Sequence, residues 1–265
     1  SIDHRDLGSM IINPYAYAAG GSPFGPGPDT ITGLQLWLDA YQIEGLSTGD
    51  QITTWSDESG NGRNATGAVM NTLKPTYRAT DGPNSQPAVR MVRSDNGQGG
   101  YFTLPDFLTG LAATSAQAFS VVKIDTDPPG AFAQAAPPLA DWGSAVDEYY
   151  SFPGDSGIYD AFGSTVRKTT GAPATSLATW LVYEERTASG AWSRRINAAT
   201  TGANLFSTGT NTVGWGSAPR IALYTAGVRF MNGLVAEVFF YNKLLDATEY
   251  QAIKDYLNSK YGFSL

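Results

Sequence analysis

The sequence predicts an all-β protein, built as an antiparallel sandwich or barrel with one helix at its end. After residue 33, short apolar segments rich in β-branched and aromatic residues recur between clusters of glycine, proline and asparagine, a spacing typical of such folds. A helical repeat of apolar residues occurs at the C-terminal end. Before residue 33, glycine and proline interrupt the chain too often for a helix or a sheet ladder.

The N-terminal segment divides into two parts. Residues 1–9 read "SIDHRDLGS" and contain His4, the sole histidine; they resemble a vector-derived remnant ahead of a natural start at Met10. Residues 10–32 begin with apolar and aromatic side chains and continue with alternating glycine and proline. We interpret them as an extended N-terminal arm and a Gly/Pro-rich linker, although a disordered tail fits the same composition. Residues 33–265 are then the folded domain.

The predicted strands begin with residues 34–39, where three leucines alternate with two polar residues and a tryptophan. Later strands are predicted at 118–125, 179–186, 220–225 and 234–241. The last of these is apolar on both faces and therefore belongs in the centre of a sheet. The dipeptides that tolerate positive φ in tight hairpins are Asn61-Gly62, Asn96-Gly97 and Asn232-Gly233.

Residues 246–262 are the predicted amphipathic helix. Asp246 can cap its first turn, with Glu249 at the reciprocal position of a capping box, and Gly262 suits the position after the last turn. The apolar residues that share one face at this period are Tyr250, Ile253, Leu257 and Tyr261. This face is expected to pack against the sandwich.

Composition and charge exclude several classes of function. The 265-residue chain has 42% hydrophobic residues, enough for a substantial core. Its net charge of −7 would repel phosphate backbones, so no nucleic-acid partner is expected. The sequence has no apolar run near the ~18 residues of a membrane span and no secretion signal, so no membrane insertion is expected. Cysteine is absent, which excludes disulfides and thiolate metal sites.

Several segments together resemble a known group of folds. They are "GLQLWLDA", "ITTWSDESGNGRNATG", "KPTYR", "QPAVRM" and "NGLVAEVFFYNKLLDATEYQAIKDYLNSKYG". Over residues 33–262 they look like the concanavalin A-like lectin/glucanase group, specifically its laminin-G-like jelly-roll modules. The resemblance implies a two-sheet antiparallel jelly-roll sandwich with a glycan-binding, adhesive, structural or polysaccharide-degrading role. Such modules occur in phage virion proteins and bacterial surface proteins, and the "MIINPYAYAAGG" opening resembles the starts of phage structural proteins.

Catalysis by such a fold would need two carboxylates about 5 to 9 Å apart on a cleft. Asp125 and Asp127 have an i, i+2 relation, but two prolines follow directly and favour a solvated strand end. Glu184 and Glu185 are adjacent, so they point to opposite faces of a strand unless it bulges. "GDSG" at 154–157 resembles a serine-protease loop but lacks a histidine base, and we interpret it as a turn. A lyase with a tyrosine base is the enzymatic alternative that these residues leave open.

The stretch "WSDESGNGRNATG", residues 55–67, raises the question of a bound cation. The candidate metal ligands are Asp57, Ser59, Asn61, Asp95 and Asn96. The first three hold positions one, three and five of an EF-hand-like loop, but position twelve is alanine instead of a bidentate glutamate. A tight turn, anchored by the tryptophan and bonded by the polar side chains, explains the same residues. The turn is the main interpretation, and calcium is the one cofactor left open.

Aromatic side chains in loop-like stretches are the candidates for binding a sugar ring. Trp215 stands between two glycines, which predicts little cover around it. The further ligand-binding candidates are Trp192, Tyr149, Tyr150 and Tyr159. The tryptophans assigned to the core instead are Trp37, Trp55, Trp142 and Trp180.

Two functions of different classes are consistent with these features. The first is a non-catalytic, virion-associated module that recognises a carbohydrate or a host surface, with a bacterial cell surface as the alternative location. The second is a structural or decoration protein of a phage particle, bound to other virion proteins through the arm. A homo-oligomer is also consistent with the sequence. The docking residues of the arm would be Ile11, Ile12, Tyr15 and Tyr17. A polysaccharide-degrading enzyme is the lesser alternative.

Overall fold

Two antiparallel sheets stack face to face in the computed structural model, which describes residues 23–69, 73–93, 99–131, 134–145, 147–224 and 229–265. In chain order the strands of this part of the chain are β1 (Leu34–Asp39), β2 (Thr54–Trp55), β3 (Ala65–Val69), β4 (Thr76–Arg78), β5 (Ala88–Met91), β6 (Gly100–Thr103), β7 (Ser115–Ile124), β8 (Leu139–Ala140), β9 (Tyr159–Asp160), β10 (Lys168–Thr169), β11 (Leu181–Ala188), β12 (Ala191–Ile196), β13 (Leu205–Thr208), β14 (Arg220–Ile221), β15 (Leu223–Tyr224), β16 (Arg229–Phe230) and β17 (Gly233–Tyr241). A C-terminal helix, α1 (Ala247–Tyr261), follows. The predicted all-β sandwich with a C-terminal helix is confirmed.

The larger sheet has the order β13-β12-β11-β7-β17-β5-β4, and β1 pairs with the second half of β17. The smaller sheet has the order β2-β3-β6-β14-β8. Every residue of β17 is buried, as the apolar pattern on both of its faces predicts. A bulge between Val235 and Glu237 resets the alternation of its side chains. Because side chains alternate between the two faces of a strand, β17 contributes both to the core between the sheets and to the layer under α1.

The helix begins and ends at the predicted residues. The Asp246 carboxylate accepts the backbone N–H of Glu249 at 2.9 Å, and the Glu249 carboxylate accepts that of Asp246 at 3.0 Å, which completes the capping box. Gly262 follows with a left-handed φ of 71°. Ile253 and Leu257 are buried against the larger sheet, as the predicted face requires.

A buried ionic cluster joins α1 to the larger sheet, and the sequence did not indicate it. Lys260, on α1, has no exposed surface; its Nζ lies 2.7 Å from Oδ2 of Asp39 and 3.1 Å from Oε2 of Glu237. Glu237 also accepts the Trp37 indole N–H at 2.6 Å and the Tyr256 hydroxyl at 2.8 Å. Burial raises the pKa of Asp39 from its usual 3.8 to about 6, against the opposing effect of the ammonium group. The cluster fixes the position of α1 on β1 and β17.

Part of the predicted linker belongs to the sandwich. In residues 23–32, Ile31 is buried, and the carbonyl oxygen of Pro28 accepts the Tyr241 hydroxyl at 2.9 Å. Residues 28 and 31 therefore contact the folded domain, while the boundary at residue 33 stays a prediction. The arm residues expected to dock on a partner, Ile11, Ile12, Tyr15 and Tyr17, lie outside the described residues.

Three local predictions need correction. The segment 220–225 contains two short strands, because Ala222 adopts a φ of 67° between β14 and β15. Asn232-Gly233 is no hairpin: Gly233 starts β17, where a Cβ would lie 2.3 Å from the Lys123 carbonyl oxygen, so the glycine permits a close approach of backbones. Trp180 is half-buried at the surface rather than in the core, with the Lys123 ammonium 5.9 Å from its ring centroid.

Other local predictions agree with the structure. Residues 154–157 form a turn in which the Asp155 carboxylate accepts the Gly157 N–H at 2.7 Å. Trp55 and Trp142 are buried in the core between the sheets, and Trp37 is buried under α1. Asn96-Gly97 lies outside the described residues. Within them, no helix is both long and apolar enough to cross a membrane.

Candidate functional site

The stretch 55–67 is a turn whose polar side chains bond the backbone. Oδ1 of Asp57 accepts two backbone N–H groups at 3.0 Å, and Oδ2 accepts a third at 2.8 Å. The side-chain nitrogen of Asn61 donates to two carbonyl oxygens of β1, at 3.1 and 3.2 Å. Gly62 supplies a φ of 69°, and the ring of Trp55 is buried. These contacts fasten the turn to β1 and support the turn interpretation.

The three predicted metal ligands that the structure describes use their polar groups to bond the protein. Asp57 is engaged by N–H donors, Asn61 turns its nitrogen toward the protein, and the Ser59 hydroxyl donates to a carbonyl of β1 at 3.3 Å. Asp95 and Asn96 lie outside the described residues. Among the residues that are described, no group of three or more acidic or histidine side chains could hold a metal ion. Calcium binding stays a prediction.

Trp215 closes one end of the sandwich. Its ring packs edge-to-face on Phe162 and Phe240, with centroid distances of 5.6 and 5.8 Å, and its Nε1 donates to the Ala113 carbonyl at 2.9 Å. Gly163 makes this fit possible, because a Cβ there would lie 2.7 Å from the indole. The ring is half-buried and so has more cover than its glycine neighbours suggest. It nevertheless borders a depression at the surface.

The Trp215 depression has a volume of about 380 Å³ and lies where three loops meet. These loops precede β7, join β11 to β12, and follow β13. The polar side chains that line it are Thr109, Thr114, Ser189, Asn211 and Thr212. None of the described lining residues is charged. The volume falls within the range of small-molecule sites, about 300–1,000 Å³.

Two predicted tyrosines meet at a second place. Tyr149 and Tyr159 pair across a β-bridge with their ring centroids 5.6 Å apart, and Phe152 lies 4.8 and 5.3 Å from them. The Arg229 guanidinium lies 4.1 Å from the Tyr149 centroid, and that of Arg167 lies 4.9 Å from the Tyr159 centroid. These cations cover ring faces that a sugar would need. The patch is therefore a weaker candidate than the Trp215 depression.

The other two aromatic candidates are inside the protein. Trp192 is only 1% exposed, and its Nε1 donates to the Phe162 carbonyl at 2.9 Å. Its neighbourhood resembles a loop in sequence because Gly190 turns the chain, but the residue lies in β12 and the alternation of that strand turns its ring inward. Tyr150 is fully buried and packs edge-to-face on Tyr183. Neither ring can serve as an exposed platform for a sugar.

The carboxylates that the sequence singled out are each engaged in different surroundings. Asp125 forms a surface ion pair with Arg90, and Asp127 accepts a backbone N–H at 2.7 Å. Glu184 accepts the hydroxyl of a tyrosine of α1 at 2.7 Å, on the outer face of the larger sheet. Glu185 points to the interior of the sandwich, so the two neighbours face opposite sides as predicted. None of these four groups lines the Trp215 depression.

A cluster of buried carboxyl groups escaped the sequence reasoning. Glu148, Asp160 and Glu185 are at most 2% exposed, and Asp160 accepts the Tyr183 hydroxyl at 2.5 Å. Burial raises the pKa of all three carboxyl groups, and the charge of Asp160 raises those of Glu148 and Glu185 further. Both carboxyl oxygens of Glu185 are buried without a hydrogen-bond partner among the described residues. The only hint in the sequence was the alternation of β11, which puts Glu185 on the face of Tyr183.

Comparison with known proteins identifies the fold. No family model and no curated protein matches the sequence. One similar solved structure is domain 4 of AbnA, a GH43 extracellular arabinanase from Geobacillus stearothermophilus, in complex with arabinotriose. The two structures align with a TM-score of 0.51 and 16% sequence identity. The alignment covers 84% of this chain and 97% of that domain. This chain has the fold of such β-sandwich domains. A mutant of Trypanosoma rangeli sialidase displaying trans-sialidase activity aligns with a TM-score of 0.50 and 14% identity. That alignment covers 88% of this chain but 34% of the sialidase.

Proposed function

We propose that this protein is a non-catalytic carbohydrate-binding module whose sugar site is the Trp215 depression. One observation carries the proposal: the depression combines an indole ring with a rim of uncharged hydroxyl and amide groups. A sugar ring has an apolar C–H face and a hydroxyl edge, so it needs an aromatic surface beside hydrogen-bonding groups of both kinds.

The walls of the depression are held in place before any ligand arrives. Trp215 is tied to the loop before β7 by its bond to Ala113. Asn211 donates to the Ala188 carbonyl at 3.0 Å and accepts the Ser164 hydroxyl at 2.7 Å. A preorganised site loses less conformational entropy on binding. Asn211 therefore braces the rim, and the Thr109 hydroxyl donates to Asp106 at 2.8 Å. Among the described lining residues, the hydroxyls of Thr114, Ser189 and Thr212 are left to meet the ligand.

The lining also indicates the class of sugar. Because the described residues around the depression carry no charge, the site favours a neutral glycan. It also offers no pair of carboxylates for hydrolysis. The arabinanase domain of similar fold was solved with arabinotriose, a neutral sugar, which agrees with the proposal.

A glycan array of neutral oligosaccharides tests the proposal, with a variant that fills the depression. Thr212 is exposed on the rim, so Thr212→Trp is expected to weaken binding at least ~10-fold by excluding the ligand. Thr200→Trp places the same side chain at an exposed position away from the depression and should leave binding unchanged. Binding that survives Thr212→Trp would refute this site.

The same array addresses the alternative functions. Running it in calcium and again in chelator shows whether binding depends on the metal predicted from the 55–67 stretch. If the wild-type protein binds no glycan in either buffer, the structural role becomes the better explanation. Location on a phage particle or a bacterial surface stays a prediction, to be tested by immunogold labelling of particles and cells.

A further inference from the structure

A second depression, of about 290 Å³, lies on the outer face of the larger sheet at its β13 edge. We name it the arginine groove. Its defining residues are Arg186, Ser193, Arg195, Leu205, Ser207 and Leu244. Cross-strand pairing sets Arg186 opposite Ser193 and Arg195 opposite Leu205, so these side chains share one face. The alanines at 188 and 191 keep the floor of the groove low.

Two guanidinium groups in this groove face a single carboxylate. Nε of Arg186 and Nη1 of Arg195 each lie 3.8 Å from Oε1 of Glu184, too far for a hydrogen bond. The Glu184 carboxylate instead accepts hydrogen bonds from Gln117 Nε2, at 2.8 Å, and from the Tyr250 hydroxyl, at 2.7 Å. The described residues that line the groove include two arginines and no acidic side chain, although the protein has a net charge of −7. The same arginines also line a neighbouring depression that contains Asp246.

Both arginines have hydrogen-bonding capacity to spare. Their Nε atoms are buried and have no hydrogen-bond acceptor among the described residues, so a ligand in the groove would meet the terminal nitrogens of the guanidinium groups instead. Their side chains are 25% and 22% exposed, so the tips of the guanidinium groups reach the groove. A guanidinium presents five N–H donors in a planar fork that matches the two oxygens of a carboxylate. The groove therefore matches a ligand that carries a carboxylate.

We propose that the arginine groove binds a carboxylate-bearing sugar, a hexuronate of an acidic polysaccharide. The carboxylate would lie against Arg186 and Arg195. Ser193 and Ser207 are cross-strand partners that line the groove, so their hydroxyls can bond sugar hydroxyls, and Leu205 offers apolar surface to the ring C–H groups. This site shares no residue with the Trp215 depression, so it does not depend on the proposed neutral-glycan function.

Isothermal titration of the full chain with digalacturonate, compared with neutral digalactose, tests the inference. We expect digalacturonate to bind at least ~10-fold more tightly, and Arg186→Gln or Arg195→Gln to remove most of that difference. Arg195→Lys keeps the charge but loses the fork, so it should give an intermediate affinity. Arg167→Gln is the matched control, because it removes an exposed arginine outside the groove. Thermal unfolding of each variant checks that it is folded.

Several outcomes would overturn the inference. One is equal affinity for digalactose, for a sulfated disaccharide or for an oligoglutamate peptide, since the groove would then not select a carboxylated sugar. Another is digalacturonate binding that Arg186→Gln leaves unchanged, or that Arg167→Gln weakens equally. A third is loss of digalacturonate binding in Thr212→Trp, which would assign the ligand to the Trp215 depression. A protein that binds digalacturonate but no neutral glycan would refute the proposed function and support this inference.

Discussion

Lys260→Met tests whether the buried ionic cluster holds α1 on the sandwich. In the native protein the ammonium has no exposed surface and contacts Asp39, Glu237 and the Tyr256 hydroxyl within 3.1 Å. Methionine preserves most of the side-chain volume but removes the cation. Two acidic groups then remain buried side by side without a counter-charge.

Removing one partner of a buried ion pair destabilises a protein by about 3–5 kcal/mol, because the remaining charge is left uncompensated. For a chain of this size, that loss corresponds to a fall in Tm of roughly 6–20 °C. The effect should depend on pH. The pKa of Asp39 is already raised to about 6 in the native protein, and loss of the ammonium raises it further. A carboxyl group whose pKa is raised on folding does not lower the free energy of unfolding below its unfolded pKa, near 3.8. Above that pH it lowers the free energy of unfolding progressively more.

Urea unfolding, followed by tryptophan fluorescence at pH 4 and pH 7.5, measures both effects. We expect the difference between wild type and Lys260→Met to be larger at pH 7.5. Lys254→Met, on the same helix but at a partly exposed position, should cost less than about 1 kcal/mol. Adding Asp39→Asn and Glu237→Gln to Lys260→Met should restore part of the lost stability. A loss below about 1 kcal/mol at pH 7.5, or one independent of pH, would refute the reasoning.

Three further predictions concern the turn, a close backbone contact and the buried carboxyl cluster. Asp57→Ala removes the acceptor of three backbone N–H groups and should lower the free energy of unfolding in urea by about 3 kcal/mol. If the stretch is only a turn and binds no metal, the loss should be the same in chelator. Gly143→Ala should cost at least about 3 kcal/mol, because its Cβ would lie 1.8 Å from a backbone oxygen, whereas Gly209→Ala, with open space around it, should be nearly neutral. Glu185→Gln removes a carboxyl group whose pKa is raised on folding, and such a group lowers the stability of the wild-type protein as pH rises. The stability of the variant relative to wild type should therefore rise between pH 4.5 and pH 8, and a constant difference would contradict this.

Local features of the fold could be predicted because the interactions that make them join residues close together in the chain. The capping box of α1 needs only Asp246 and Glu249, and the turn at 55–67 needs an acidic side chain within a few residues of the N–H groups it accepts. The period of apolar residues likewise placed β17 in the centre of a sheet. These patterns led to an antiparallel sandwich with a terminal helix.

Features that depend on distant residues could not be predicted in the same way. Trp215 appeared open between its glycines, yet Phe162 and Phe240 cover part of its ring, and Trp192 lies in a strand that turns it inward. Nothing near Glu185 in the sequence indicates that the charge of Asp160 raises the pKa of its carboxyl group. The candidate sites were therefore only partly visible in the sequence: Trp215 was named, but the rim around it and the arginine groove were not.

By itself, the sequence determined the strand and helix patterns, the caps and the turns, because hydrogen bonds and side-chain periods within an element involve near neighbours. Only the tertiary structure decided which polar groups are buried and which are accessible. Lys260 and Asp39 are 221 positions apart, and each is tolerable inside the protein only because the other is there. Glu184 lies 3.8 Å from both Arg186 and Arg195, but its oxygens accept hydrogen bonds from Gln117 and Tyr250. The two guanidinium groups therefore gain no hydrogen bond from their nearest carboxylate. Charge compensation and solvent access are properties of packing, and they set what each site can bind.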